Sequence, residues 1–275
     1  MPIKVAVATK HGKLAQIAPA FDRLKQWQLE LAPIDTDEFG TFSGEVERTL
    51  SPRETVIEKA KAGARSLGFD YGIASEGTIG AHPHLPFTNS DYELMAFVCL
   101  SKDVAIVESF LSADITAYSQ DVSHSSDLDV ISDGLDLPSH AANIIVETKS
   151  GRQIHKGITD VHEVRRIVEQ YLVGGANNVR VESDFRAMNS PSRQANIAIC
   201  AQRLALRVGA HCPGCSHFGW GRVGYEYGLP CVSCGLMNES VANAEKLGCP
   251  GCDFVELNEF AQEAIDPSRC EFCNP

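Results

Sequence analysis

Cys212-Pro213-Gly214-Cys215 opens a series of four Cys-x-x-Cys turns, continued by Cys231-Val232-Ser233-Cys234, Cys249-Pro250-Gly251-Cys252 and Cys270-Glu271-Phe272-Cys273. Only two other cysteines, Cys99 and Cys200, lie outside this stretch. They fall in apolar runs and read as inert core residues. One such turn presents two thiolates to a metal at a Zn–S distance of about 2.3 Å, so a tetrahedral site takes two turns. Four turns predict two structural zinc ions and leave no thiol over for redox chemistry. Met1-Pro2-Ile3-Lys4 lacks the apolar core of a secretory leader, so a cytoplasmic chain and zinc are expected rather than a disulfide framework. An iron–sulfur cluster is the remaining alternative.

The turns also repeat. Cys-Pro-Gly-Cys occurs at 212 and again at 249, each followed by a second pair. Serial pairing would make two zinc ribbons in tandem, interleaved pairing a cross-brace, and nested pairing is a third option; serial pairing is favoured. Residues 208–275 therefore read as a small zinc domain with little aliphatic core, dependent on its metal to fold. Three basic residues (Arg222, Lys246, Arg269) stand there against nine acidic ones. A segment so negative is a poor match for phosphate backbones, which excludes nucleic acid and favours a structural or protein-binding role. Phe218, Trp220, Tyr225 and Tyr227 are either its partner surface or its core.

The remaining residues, 1–207, read as one α/β domain of mixed sheet flanked by helices. The chain of 275 residues is 44% hydrophobic and 22% charged, as in ordinary globular proteins. No apolar run reaches the roughly 20 residues of a membrane span. The formal charge of −12 disfavours nucleic acid and anionic membranes as partners.

Ile3 to Ala8 is an apolar run suited to a buried strand. Thr9-Lys10-His11-Gly12-Lys13 follows, and an amphipathic stretch starts near Leu14. Strand, glycine-containing loop and helix aim backbone N–H groups at an anion, and Lys10 and Lys13 add charge. Ser51-Pro52-Arg53-Glu54 is a capping box with Pro at the first helical position, ahead of an apolar face at Val56, Ile57, Ala60, Ala64 and Leu67 that ends at Gly68. A strand over Tyr71–Ala74 is expected to run into a turn, Ser75-Glu76-Gly77-Thr78-Ile79-Gly80, which places Glu76 at the mouth of the sheet. Residues 94–100 and 104–111 read as a hairpin, 119–136 as an acidic, serine-rich loop, and 143–148 as a strand with Lys149-Ser150-Gly151-Arg152 as its turn.

Asp160-Val161-His162-Glu163 caps a further helix that Gly174-Gly175 ends. Asp184, Arg186 and Asn189 lie in the loop before a long helix opened by Ser190-Pro191, with Arg193 in its first turn. A cation is unfavourable there against the helix dipole, which marks Arg193 as a candidate anion ligand. The alternative is an Asp–Arg pair bracing the loop. The nine histidines form no metal-like cluster. His82-Pro83-His84 comes nearest and reads as loop lining, and no Ser/His/Asp arrangement stands out.

Three stretches resemble the inosine/xanthosine triphosphate pyrophosphatases and their Maf-type relatives: Ala8-Thr9-Lys10-His11-Gly12-Lys13, Glu54-Thr55-Val56-Ile57-Glu58-Lys59-Ala60 and Gly72-Ile73-Ala74-Ser75-Glu76-Gly77. The resemblance implies a phosphate loop (Thr9, Lys10, His11, Lys13), a metal-side carboxylate and a lysine (Glu54, Lys59), and an acid that handles the attacking water (Glu76). His11 stands where that family has asparagine, Thr55 replaces another asparagine, and one carboxylate remains where the family has two. Over its whole length the chain is similar to an uncharacterised bacterial family, through Glu182-Ser183-Asp184-Phe185-Arg186-Ala187-Met188-Asn189-Ser190-Pro191-Ser192-Arg193 and a terminal Cys273-Asn274-Pro275.

The expectation is a metal-dependent phosphohydrolase or pyrophosphatase acting on a nucleotide or related phosphate compound. Glu54 and Glu76 would hold Mg²⁺, Lys13 and Lys59 would meet phosphate oxygens, and Arg186 and Arg193 would clamp the far end. The alternative is a non-catalytic nucleotide- or partner-binding protein, with the acidic zinc domain carrying a protein contact.

Overall fold

The computed structural model describes residues 2–40, 49–124, 127–148, 151–176 and 178–275. It divides into two compact units, Met1–Asp103 with Val107–Leu204, and Val104–Ile106 with Ala205–Pro275. The architecture is α/β with one mixed and two antiparallel sheets.

The chain begins with β1 (Ile3–Ala8), α1 (Leu14–Phe21), β2 (Trp27–Leu31), α2 (Pro52–Leu67), β3 (Tyr71–His82), β4 (Leu85–Cys99) and β5 (Val104–Ser112). These strands form a sheet in the order β2-β1-β3-β4-β5. β1 runs parallel to β2 and β3, while β3 and β4 are antiparallel. Val5 to Ala8 are buried, as an unbroken apolar run covered on both faces should be. The Ser51–Glu54 capping box forms as read, with both reciprocal bonds present, and Gly68 closes α2 in the left-handed conformation at φ 65°. Val56 and Ala60 pack on Ala8, Ala74 and Ala96. Gly72 permits this close approach, because a Cβ there would collide with the Ala60 carbonyl oxygen.

Two expectations change here. Ser75–Gly80 is not a turn: β3 continues to His82 because each residue finds a partner on β4, Gly77 opposite Glu93 and Ile79 opposite Asp91. His82-Pro83-His84 instead bridges β3 and β4, and β4 starts at Leu85, well before the expected 94.

The chain continues with β6 (Ser119–Val122), α3 (Leu128–Leu135), β7 (Ala142–Thr148), β8 (Gly151–Ile158), α4 (Val161–Val173), β9 (Asn178–Ser183) and α5 (Pro191–Gly209). A second, wholly antiparallel sheet has the order β6-β9-β7-β8. The acidic stretch 119–136 is thus not a loop. Leu128, Ile131 and Leu135 recur at helical spacing and are buried on α3, although Ser125-Ser126 lie outside the described residues. The expected turn at Lys149-Ser150 also lies outside them. Asp160 caps α4 by accepting from His162 N.

The second unit carries β10 (Gly221–Pro230), β11 (Met237–Gly248) and β12 (Val255–Glu259), an antiparallel sheet in sequence order. Its small core gathers Leu229, Cys231, Ile265 and Cys270. Among the described residues no helix is long and apolar enough to cross a membrane.

Candidate functional site

In the second unit, Cys212, Cys215, Cys249 and Cys252 form one cluster, and Cys231, Cys234, Cys270 and Cys273 form the other. Each is a four-cysteine group that could hold a structural zinc ion. The pairing is interleaved, which corrects the serial pairing favoured from sequence. The strands explain it: Gly221 pairs with Gly248 and Pro230 with Met237, so β10 carries the chain from the first turn to the second, and β11 brings it back. Ten residues of β10 at about 3.3 Å each keep consecutive turns at opposite ends of the sheet. Alternate turns therefore meet.

The sulfur separations are 3.8 Å (Cys212–Cys252), 3.6 Å (Cys215–Cys249), 3.9 Å (Cys231–Cys273) and 3.8 Å (Cys234–Cys270). A tetrahedron with Zn–S near 2.3 Å has edges of about 3.8 Å, whereas a disulfide needs about 2.05 Å. Backbone N–H groups of Ser233 and Gly251 donate to Cys231 and Cys249 sulfur, as suits thiolates. The aromatics divide: Trp220 packs on Phe254 and Phe218 on His217, while Tyr225 and Tyr227 are exposed.

In the first unit, a cleft of about 350 Å³ opens where the strand order reverses. β1 connects to β2 on one side, and the chain then crosses back through α2 to β3 on the other; ligands of α/β sheets bind at such a switch point. Ala8 pairs with Ala74, so the residues that follow, Thr9 to Lys13 and Ser75-Glu76, share one wall. The cleft collects Thr9, Lys10, His11, Lys13, Lys59, Glu76, Arg186 and Arg193, eight of the nine residues singled out from sequence for this site. Glu54 is the ninth. Its carboxylate is held at the exposed start of α2 by Ser51 N and Oγ, and it is not part of the lining.

Six lysines and arginines face four carboxylates in the lining, a net positive site in a chain of charge −12. Several of the cations are visibly matched. Lys59 Nζ lies 2.6 Å from Glu76 Oε2, with both side chains buried. Arg186 Nη2 lies 2.6 Å from Asp184 Oδ2, where Asn189 also donates. Burial opposes ionisation of Asp184, but these bonds hold its carboxyl below the ordinary value. The bracing pair considered from sequence is thus Asp184–Arg186. Arg193, considered as an anion ligand, is fully buried and bonds Glu93 Oε1 at 2.6 Å and the Phe185 carbonyl at 2.5 Å. Lys10 sits at 2.9 Å from Asp35 and 2.6 Å from Asp37. His11, at φ 61°, stands 3.3 Å from Asp37, and burial pushes its pKa down.

Lys13 differs. Its side chain is buried, Nζ donates to Ser75 Oγ at 3.1 Å, and no carboxylate stands within ion-pair distance among the described residues. Burial first, and then the Arg193 charge, pushes its pKa down to about 8.

Sequence reasoning missed the far wall. Asn143 on β7 pairs in register with Lys156 on β8 and with Glu182 on β9, and all three line the cleft. Asn143 Oδ1 is buried and has no hydrogen-bond partner among the described residues. Burial raises the Glu182 pKa. Asp37 also lines the cleft, and a signal for it was present in the Asp35-Thr36-Asp37 turn just beyond β2.

A family model described as Domain of unknown function (DUF6671) matches residues 59–275, a span that includes Lys59, Glu76, Arg186, Arg193 and all eight paired cysteines. No curated protein matches the chain.

Proposed function

The chain belongs to the DUF6671 family, a domain of unknown function, and on that premise we propose from the cleft itself that the protein binds a phosphate-bearing small molecule, a nucleotide or related phosphate ester. Lys13 carries the reading. A buried ammonium with no carboxylate within ion-pair distance among the described residues is costly, and its most economical partner is an anion that enters from the cleft. The cleft volume of about 350 Å³ falls in the range of small-molecule sites. The resemblance of the Ala8–Lys13, Glu54–Ala60 and Gly72–Gly77 stretches to the inosine/xanthosine triphosphate pyrophosphatases favours a nucleoside triphosphate, and a fold of that kind is part of the proposal. The acidic second unit, with Tyr225 and Tyr227 exposed, is the surface assigned to a protein partner.

Calorimetric titration of the full chain with pyrophosphate and with ATP tests the binding. Saturable, salt-sensitive heat is expected, weakened at least about tenfold in Lys13→Met. A chain that binds neither probe, or a variant that binds them as well as the parent, overturns the reading.

Hydrolysis is the second reading, favoured by Glu76, a carboxylate only 4% exposed on the same wall as Lys13. The described residues do not make a Mg²⁺ cage. Glu76 is already bound to Lys59, Glu54 lies outside, and among the described residues only the cysteine clusters group three or more metal-binding side chains. Release of pyrophosphate or phosphate from ATP that disappears in Glu76→Gln supports this second reading; no release of either from any nucleoside triphosphate removes it and leaves the binding intact.

A further inference from the structure

Asp136, His140 and Ser192 meet outside the cleft. His140 Nε2 lies 2.9 Å from Ser192 Oγ, and His140 Nδ1 lies 2.8 Å from Asp136 Oδ2. None of the three lines the cleft. The donor pattern fixes the proton positions. The backbone N–H of Ser192 points at His140 Nε2 at 3.3 Å, and an amide can only donate, so Nε2 carries the lone pair. Nδ1 then carries the hydrogen and donates it to the Asp136 carboxylate. Thr116 N–H donates to Ser192 Oγ at 3.2 Å, which leaves the hydroxyl hydrogen to point at Nε2 and one oxygen lone pair available. The imidazole is buried at 5% exposure, while Ser192 is half-buried and Asp136 exposed.

We propose that Ser192 is a nucleophile, with His140 as its general base and Asp136 as the residue that orients the imidazole, acting on a small activated acyl ester. The bonding satisfies what such a site requires: nucleophile to base, base to orienting acid, and a tautomer set for proton uptake. In the step, Ser192 Oγ bonds to the ester carbonyl carbon while its proton passes to His140 Nε2. The C–O bond to the alcohol then breaks, and the alcohol leaves with that proton. Water repeats the sequence on the acyl-serine, releasing the carboxylic acid and restoring Ser192. The half-buried hydroxyl limits the acyl group to a small one. A helix cap alone would need only the Ser192 amide on Nε2; it does not need the hydroxyl at 2.9 Å or the carboxylate behind the ring.

The full chain is treated with a fluorophosphonate, in which Oγ–P forms as P–F breaks and fluoride leaves, and the adduct is located by peptide mass. One adduct on Ser192 is expected. It should be absent in Ser192→Ala, slowed at least about 100-fold in His140→Gln, and slowed at least about tenfold in Asp136→Asn, whose exposed side chain makes it the variant safest to fold. p-Nitrophenyl acetate should give a burst of one nitrophenolate per chain. An unlabelled Ser192 in natively folded protein, beside a serine hydrolase labelled in the same mixture, overturns the proposal. So does labelling that Asp136→Asn and His140→Gln leave unchanged.

Discussion

Arg193 Nε donates to Glu93 Oε1 across 2.6 Å, and each side chain is 1% exposed. The pair joins α5 to β4, so the guanidinium that lines the cleft is fixed from beneath by a carboxylate on the mixed sheet. Removing one member of a buried pair strands the other charge, at a cost of about 3–5 kcal/mol. Glu93→Ala is expected to lose that much in urea unfolding, and Glu93→Ala with Arg193→Met less than the sum of the two single changes. Gly77 pairs with Glu93, and a Cβ there would stand 2.6 Å from Glu93 Oε1 and collide with Arg193 Nη2. Gly77→Ala is expected to cost about 1–3 kcal/mol.

The burial of Lys13 opposes stability. Its pKa falls from 10.5 to about 8 on folding, so between those values the unfolded chain holds more protons and stability rises with pH. The full difference is on the order of 3 kcal/mol. Lys13→Met is expected to be more stable than the parent at pH 7 and to lose the rise above pH 8. Melting temperatures measured from pH 7 to 10.5 check both, and a parent that shows no rise would contradict the burial argument.

How much of this was readable from the chain depends on the range of each interaction. The Ser51–Glu54 box, the Asp160 cap and the Pro191 helix start obey rules spanning three residues, and all form as read. Thr9, Lys13, Lys59 and Glu76 stand in short motifs, although only Thr9 and Lys13 lie at a strand or helix end. The errors come from longer range. Polar residues at 75–80 look like a turn until β4 supplies partners, and α3 hides three buried apolar residues in acidic surroundings. Asn143, Lys156 and Glu182 become neighbours only through strand register, as do alternate cysteine pairs. His140 and Ser192 lie 52 residues apart, a spacing no local rule reads.

Asp91 supplies a second pH dependence, of opposite sign. It is fully buried on β4, and burial followed by the neighbouring Glu93 charge pushes its pKa from 3.8 up to about 7. The folded chain therefore holds the extra proton between those values, and stability falls as pH rises from about 4 to about 7. Asp91→Asn keeps an amide near Asn196 without the charge. It is expected to flatten this part of the profile while leaving the rise assigned to Lys13. Urea midpoints at pH 4.5, 5.5 and 7 would show the effect, and a variant with the parent's slope would refute the assignment.

The interleaved clusters make the sharpest test. Cys212 and Cys249 belong to one site and Cys231 to the other, so Cys212→Ser and Cys249→Ser should each remove the same zinc ion. Their combination should lose no more than either alone, whereas Cys212→Ser with Cys231→Ser should lose both ions. Serial pairing would reverse these results, because Cys212 and Cys231 would then share a site. Zinc counted by elemental analysis, close to two per parent chain, reads the outcome directly. A chelator should melt β10 to β12 while leaving the first unit folded, because the cluster of Leu229, Cys231, Ile265 and Cys270 draws two of its members from the metal site itself. Amide exchange that collapses after residue 204 but persists in β1 and β3 would confirm it.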